Sequence, residues 1–222
     1  MLTRFSGATG HSQGIISAVA ISTSSTYEQF VLNSKKALKW LFLAGSCAQV
    51  AFPVVSLEPS IIADSVEGRE GVPSPMLTIV GLNLKDLDRH VAATNKYLLD
   101  NFKLCISLHN SIKAFVVTSP SRALHGLVTA LCKIRAPSGL DRSKVPFSKC
   151  KPVFHVQFLV VGVLFHSPYL TDAVDTLLDN DLRSEEFWKA DKLQIPVYHT
   201  ADGEYLGIAH AISIPTLFPS RV

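Results

Sequence analysis

Apolar residues recur at helical spacing between Tyr27 and Phe52, with Phe30, Val31, Ala37, Leu38, Leu41 and Phe42 marking the stripe. They predict one long helix, which Pro53 ends. A shorter apolar run, Ile15–Ala20, predicts a helix before it. From Met76 the period changes repeatedly. Met76–Val80 reads as a strand and Lys85–Leu98 as a helix. Leu104–Leu108 and Ala114–Thr118 are β-rich runs separated by the turn-like pair Asn110-Ser111. Ser121–Ile134 reads as a helix with Ser121 near its start, and Val153–Phe158 as a strand. This β-α-β-β-α-β order is that of a ferredoxin-like unit. A Pro- and Gly-containing stretch, Glu67–Pro75, leads into it as a linker. Beyond it, Phe158–Phe165 is continuously apolar and reads as a buried strand, or a strand plus loop. A helix over Thr171–Asn180 and a short strand over Ile195–Tyr198 follow, and patterning weakens after Gly207.

Composition narrows the class. Of 222 residues, 47% are hydrophobic and 18% charged, which fits a well-buried globular chain rather than a disordered one. The net charge of +3 suits anionic ligands, and no basic stripe interleaved with aromatics points to nucleic acid. Cys47, Cys105, Cys132 and Cys150 are scattered without C-x-x-C spacing, so neither a disulfide framework nor a zinc site is expected. Trp40–Val55 is interrupted by Gly45, Ser46, Gln49 and Pro53 and is too short and polar to span a bilayer. The expectation is a soluble, cytoplasmic protein with no metal and no membrane partner.

Candidate chemistry lies near the start. Gly10-His11-Ser12-Gln13-Gly14 is a G-x-S-x-G sequence set directly before the apolar helix. A serine on a sharp strand-to-helix turn needs small, permissive neighbours, and the helix N-terminus beside it favours an oxyanion. Alone, the motif admits either a nucleophile or a helix cap at Ser12. His166, delivered by the apolar run, reads as a base or as an ordinary half-buried histidine. The polar loop 135–152, with Arg142, Lys144, Lys149 and Lys151, reads as a solvated loop or a phosphate-binding patch.

Six collinear segments carry a resemblance: Gly7–Gly14, Glu70–Met76, Ala136–Asp141, Val145–Phe147, Phe165–Leu170 and Ile195–Tyr198. In their order and content the chain resembles the starter acyltransferase (acetyltransferase) domain of the fungal fatty acid synthase β subunit, with hexanoate synthase β subunits as close kin. The resemblance implies an α/β acyl-carrier-protein acyltransferase fold with an α/β-hydrolase-like parallel core over 1–73 and 154–222. A ferredoxin-like subdomain would be inserted over 74–153. It implies Ser12 as nucleophile toward acetyl-CoA, His166 as general base, and the Gln13 N–H as half of the oxyanion hole. Asn110 would support the histidine or the acyl pocket, or simply make a turn. No bound cofactor is implied; CoA and the phosphopantetheine of an acyl carrier domain would be substrates. An α subunit and the rest of a β subunit in a multienzyme complex would be partners.

The resemblance also sets expectations for specificity and extent. Related malonyl transferases place an arginine on the long second helix, where its guanidinium can fork onto the malonyl carboxylate. Ala44 stands at that place here, so an uncharged short acyl group is expected. Ser12 has eleven residues before it, so an upstream strand and a second oxyanion donor are expected to be missing. Cys47, Val50, His109 and Ser111 depart from the family pattern. The alternatives are an inactive fragment of a fatty acid synthase β subunit and a serine hydrolase, for which Asp141 would be the acid.

Overall fold

The computed structural model describes residues 2–53, 55–137, 145–146, 148, 150–181, 188–200 and 203–206. The chain divides into two units, Met1–Cys47 with Asp172–Val222, and Ala48–Thr171. No helix among the described residues is long and apolar enough to cross a membrane.

In the first unit, β1 (Ala8–Thr9) pairs in parallel with β6 (Val197–Tyr198). Between them in sequence come α1 (Gly14–Ser22) and α2 (Tyr27–Ala51), and later α6 (Thr171–Thr176), which continues into a π turn over Leu177–Asp181. Helix α1 is apolar on nearly every side because it is enclosed: Ile15, Ile16 and Val19 are each at most 1% exposed. They pack with Ala37, Trp40, Leu177, Trp188 and Val197. Burying each large aliphatic of this cluster contributes about 1.5–3 kcal/mol. The face that α2 buries is narrower than its apolar pattern suggests. Ala37, Trp40 and Ala48 point inward, whereas Leu38 and Phe42 are exposed. Asn33 pins the end of α1 to this unit: its Nδ2 donates to Thr23 Oγ1 (3.1 Å) and Ser24 Oγ (2.9 Å), and its Oδ1 accepts from Trp188 Nε1 (3.3 Å).

The second unit contains α3 (Pro59–Glu67), β2 (Met76–Val80), α4 (Leu84–Asn95), β3 (Cys105–Ser111), β4 (Ala114–Thr118), α5 (Ser121–Ile134) and β5 (His155–Phe158). The sheet is antiparallel with the order β3-β4-β2-β5. With β2 counted as the first strand this is the 4-1-3-2 arrangement of a ferredoxin-like unit, as the element order predicts. Leu77, Ile79, Phe115, Val117 and Val156 from the sheet pack with Leu87, Leu124, Leu127 and Leu131 from the helices. Asn83 caps α4 by accepting the Asp86 N–H at 2.9 Å.

Two local expectations differ from what is observed, and one helix has no counterpart among them. Asn110 and Ser111 lie inside β3, and the two-residue loop is Ile112-Lys113, closed by the Ser111–Ala114 pair. The register shifts at Ser107 and again at Asn110, so each is the extra residue of a β-bulge that lets the strand run two residues further. Ser111 has no positive φ, so the residue type there carries no backbone penalty. The apolar run after β5 is not a strand: Leu159–Phe165 is irregular, although Val163 and Leu164 are buried. Helix α3 has no counterpart in the apolar pattern because only Ser65 of its nine residues is buried. Polar contacts link it to α5: Glu58, just before the helix, lies 3.4 Å from Arg122, and Asp64 Oδ2 lies 3.0 Å from His125 Nε2. Just beyond it Glu70 is 2% exposed and takes Arg135 Nη2 at 2.6 Å, which fixes the linker into β2.

Candidate active site

Ser12 is one of three non-glycine residues with positive φ among those described, at 52°, the others being Arg69 at 67° and His166 at 57°. A left-handed L-residue costs roughly 1–2 kcal/mol, so the surrounding structure has to impose it. At Ser12 the imposition is steric. The chain leaves β1 at Thr9, turns within four residues, and re-enters as α1 at Gly14. A Cβ on Gly10 would sit 2.1 Å from the carbonyl carbon and oxygen of Gly14 and 2.5 Å from Ile15 N, so only glycine fits there. Gly14 has open space around its would-be Cβ and a negative φ, so the second glycine of the motif is not required by packing. Gly7 is another close approach, with its would-be Cβ 2.9 Å from the ring of Tyr198 beside β6.

The amide groups after the turn are sorted in a particular way. Gly14, Ile15 and Ile16 N–H donate to the carbonyls of His11, Ser12 and Gln13 at 2.9, 3.1 and 3.2 Å. The Gln13 N–H has no acceptor among the described residues. Gln13 is the N-cap of α1 with φ −57° and makes no side-chain cap. One amide at the positive end of a buried helix therefore stays available immediately after the serine. Two neighbours complete the local framework: Thr9 Oγ1 donates to Tyr198 O at 2.9 Å, and His11 Nδ1 lies 3.5 Å from Thr200 Oγ1. A cavity of about 460 Å³ opens along β1, lined by Ser6, Gly7, Ala8, Thr9, Tyr198, His199 and Gly203.

His166 belongs to the second unit, in a turn between the buried Leu164 and the 3-10 turn Pro168–Leu170. It is partly buried. Asn110 belongs to the same unit, exposed in the β3 bulge. Ser12 and Gln13 are thus adjacent at the head of α1, whereas His166 and Asn110 occupy separate elements of the other unit. Asp141, Arg142, Lys144 and Lys149 lie outside the described residues. Ala44 is half-buried and packs against the first unit's core, as do Leu41, Leu43 and Cys47. Among the described residues no group of three or more His, Cys, Asp or Glu could hold a metal ion. Sequence reasoning passed over Ser167 and Tyr169, whose hydroxyls donate to Leu164 O and Lys103 O beside the His166 turn, because no spacing marks them.

The fold matches solved acyltransferases. FabD from Acinetobacter baumannii superposes with a TM-score of 0.59 at 17% identity, over 97% of this chain and 52% of that one. A malonyl-transacylase in complex with its type II PKS acyl-carrier protein gives a TM-score of 0.58 at 20% identity, over 90% and 49% respectively. The class is therefore the α/β acyltransferase fold. Residues 3–151 match the family model described as starter unit:ACP transacylase in aflatoxin biosynthesis, and the chain belongs to that family. It is 43% identical over 202 residues, 91% of its length, to the fatty acid synthase subunit beta of Saccharomyces cerevisiae. It spans about a tenth of the length of the curated relatives it matches and about half of these solved acyltransferases.

Proposed function

We propose that this chain carries acyl-transfer chemistry in which Ser12 takes a short, uncharged acyl group, acetyl or slightly longer, from CoA and passes it to the phosphopantetheine thiol of an acyl carrier protein. The observation that carries the reading is the left-handed Ser12 followed by a Gln13 amide with no acceptor among the described residues. Ser12 Oγ attacks the thioester carbonyl while the His166 imidazole takes its proton. The tetrahedral oxyanion is met by the Gln13 N–H and the N-terminal end of α1. Its collapse breaks the C–S bond, and the imidazolium protonates the departing thiolate. The pantetheine thiol then attacks the Ser12 ester by the same steps in reverse order, restoring the serine hydroxyl. Asn110 serves the β3 hairpin in this reading. The acyl carrier partner is supported by the likeness to a transacylase solved with its carrier protein, and the fatty acid synthase setting by the curated relatives.

Acetyl or a similar group is favoured over malonyl because Ala44 is packed against apolar neighbours and supplies no cation for a second carboxylate. The deciding experiment is intact-mass spectrometry after brief incubation with acetyl-CoA or malonyl-CoA, beside Ser12→Ala. The expected outcome is an acetyl adduct that requires Ser12 and forms faster than a malonyl adduct. A folded chain that gains no mass would overturn the transfer reading, and leave the chain as a non-catalytic member of its family. Equal rates for the two thioesters would overturn the specificity alone.

A further inference from the structure

We infer that Tyr169 is a positioning residue for His166, holding the histidine turn onto a rigid three-residue platform, Phe102-Lys103-Leu104, of the ferredoxin-like unit. The inference rests on the proposed role of His166.

The platform is recognisable from where its carbonyls go. Phe102 O accepts from Ser119 Oγ at 2.9 Å, Lys103 O from Tyr169 Oη at 2.6 Å, and Leu104 O from Asn95 Nδ2 at 3.0 Å. Three consecutive backbone oxygens are thus each taken by a side chain from a different element. Asn95 closes the third pair from both sides, because its Oδ1 accepts the Leu104 N–H at 2.8 Å. Lys103 Nζ reaches back to Asn95 O at 2.6 Å, and Leu104 is 4% exposed. A segment tied at every residue does not yield when something is hung from it.

Tyr169 hangs the histidine turn from that segment. Its ring also meets Phe52 edge-on, with centroids 5.5 Å apart. Burial raises the pKa of its hydroxyl above the ordinary tyrosine value, so it stays a donor at neutral pH. On the other side of His166, Ser167 Oγ donates to Leu164 O at 2.6 Å, closing a loop around the histidine. Pro168 and the buried Leu170 fix the exit. His166 at φ 57° therefore sits between two side-chain hydrogen bonds and two buried leucines, with no glycine nearby to relieve it. Without such over-determination an L-residue relaxes out of the left-handed region, and the imidazole swings with its backbone. Asn110, by contrast, is seven residues past Lys103 along an extended strand, on the order of 20 Å away.

The test is Tyr169→Phe in the full chain, which removes the hydroxyl and keeps the ring on Phe52. The primary readout is the imidazole ¹H–¹⁵N spectrum, with the His166 signal assigned by its absence in His166→Ala. That readout needs no turnover, so it stands whether or not the chain acylates. The expected result is a shifted or broadened His166 signal in Tyr169→Phe, and the same, smaller change in Ser119→Ala, which removes the hydroxyl that bonds both Phe102 O and the Tyr169 side chain. Where acylation of Ser12 is measurable, its rate falls roughly ten- to hundredfold with acetyl-CoA affinity little changed. Asn83→Ala, a cap deletion on α4, provides a comparable loss of stability and leaves the His166 signal in place. A His166 signal unmoved in both folded variants, or moved equally by Asn83→Ala, overturns the inference. Should Tyr169→Phe not fold, Ser119→Ala decides the matter alone.

Discussion

Ser12 and His166 share a left-handed backbone, at φ 52° and 57°, but they are held there by different means. Before Ser12 the chain passes so close to its own helix that Gly10 has no room for a Cβ, and after it the buried face of Ile15, Ile16 and Val19 anchors α1. His166 also has a buried leucine on either side, Leu164 and Leu170, but its turn adds polar ties. Its turn has side-chain hydrogen bonds from Ser167 and Tyr169, one to its own loop and one to Lys103 in a distant part of the unit. One strained residue is locked by sterics and apolar burial, the other by directional polar contacts. Steric locks fail abruptly when atoms are added, whereas polar locks loosen by degrees when donors are removed.

The sharpest way to break this contrast is to add a methyl group on each side of Ser12. Gly10→Ala drives a Cβ into the Gly14 carbonyl and is expected to cost about 3 kcal/mol, with loss of the elbow. Gly14→Ala meets nothing and replaces a helical glycine, so it is expected to stabilise by about 0.5 kcal/mol. Urea unfolding of the two variants measures both. Equal losses would mean that the motif's glycines act together, and that the steric account of Ser12 is wrong.

A smaller effect sharpens the likeness between the two residues. If both are strained, glycine should be more stable than alanine at each, because glycine occupies the left-handed region without penalty. The expected difference between Ser12→Gly and Ser12→Ala is about 1 kcal/mol, and the same for His166→Gly against His166→Ala. Comparing glycine with alanine cancels the loss of the original side chain. A difference near zero at His166 alone would show that its turn relaxes once the imidazole is gone.

The same division explains what could be read from the sequence. Steric and apolar devices leave a local trace: G-x-S-x-G before Ile15-Ile16, the helical run Ser121–Ile134, and the β-rich runs Met76–Val80 and Ala114–Thr118 all predict what is observed. Polar devices between distant residues leave none. Tyr169, Ser119 and Asn95 are separated by tens of residues, and no spacing links them before the chain is folded. Helix α3 likewise leaves no apolar trace, since it buries only Ser65 and its contacts to α5 are the polar pairs Glu58–Arg122 and Asp64–His125. Leu159–Phe165 misleads in the opposite sense. Its apolar composition suits a strand, but it passes the sheet without pairing beyond Phe158 and buries Val163 and Leu164 in irregular backbone. The turn-like pair Asn110-Ser111 lies inside β3 and the loop comes two residues later, at Ile112-Lys113, because bulges are not encoded in period-2 patterns.

The smallest expected effect separates the two regions by pH. Tyr169 and Cys105 have pKa values raised above their ordinary 10.0 and 9.0, in both cases chiefly by burial, and the Cys105 charge adds to the rise at Tyr169. Cys132 is raised as well, by burial and then by Glu70 beside it. All three lie in the second unit. A group whose folded pKa is raised binds its proton more tightly in the folded state, so its contribution is complete below the unfolded pKa. It is lost as pH climbs through the folded value. Stability of the second unit should therefore hold to about pH 9 and decline above it, with Tyr169 entering the decline beyond pH 10. As Tyr169 ionises it also ceases to donate to Lys103 O, and the histidine turn loses its peg. The steric lock at Ser12 contains no titrating group that would respond in this way. Urea midpoints at pH 8, 9.5 and 10.5 should fall more steeply for the native chain than for Tyr169→Phe. Parallel slopes would remove Tyr169 from the alkaline transition, and with it the claim that ionisation of this hydroxyl releases the histidine turn.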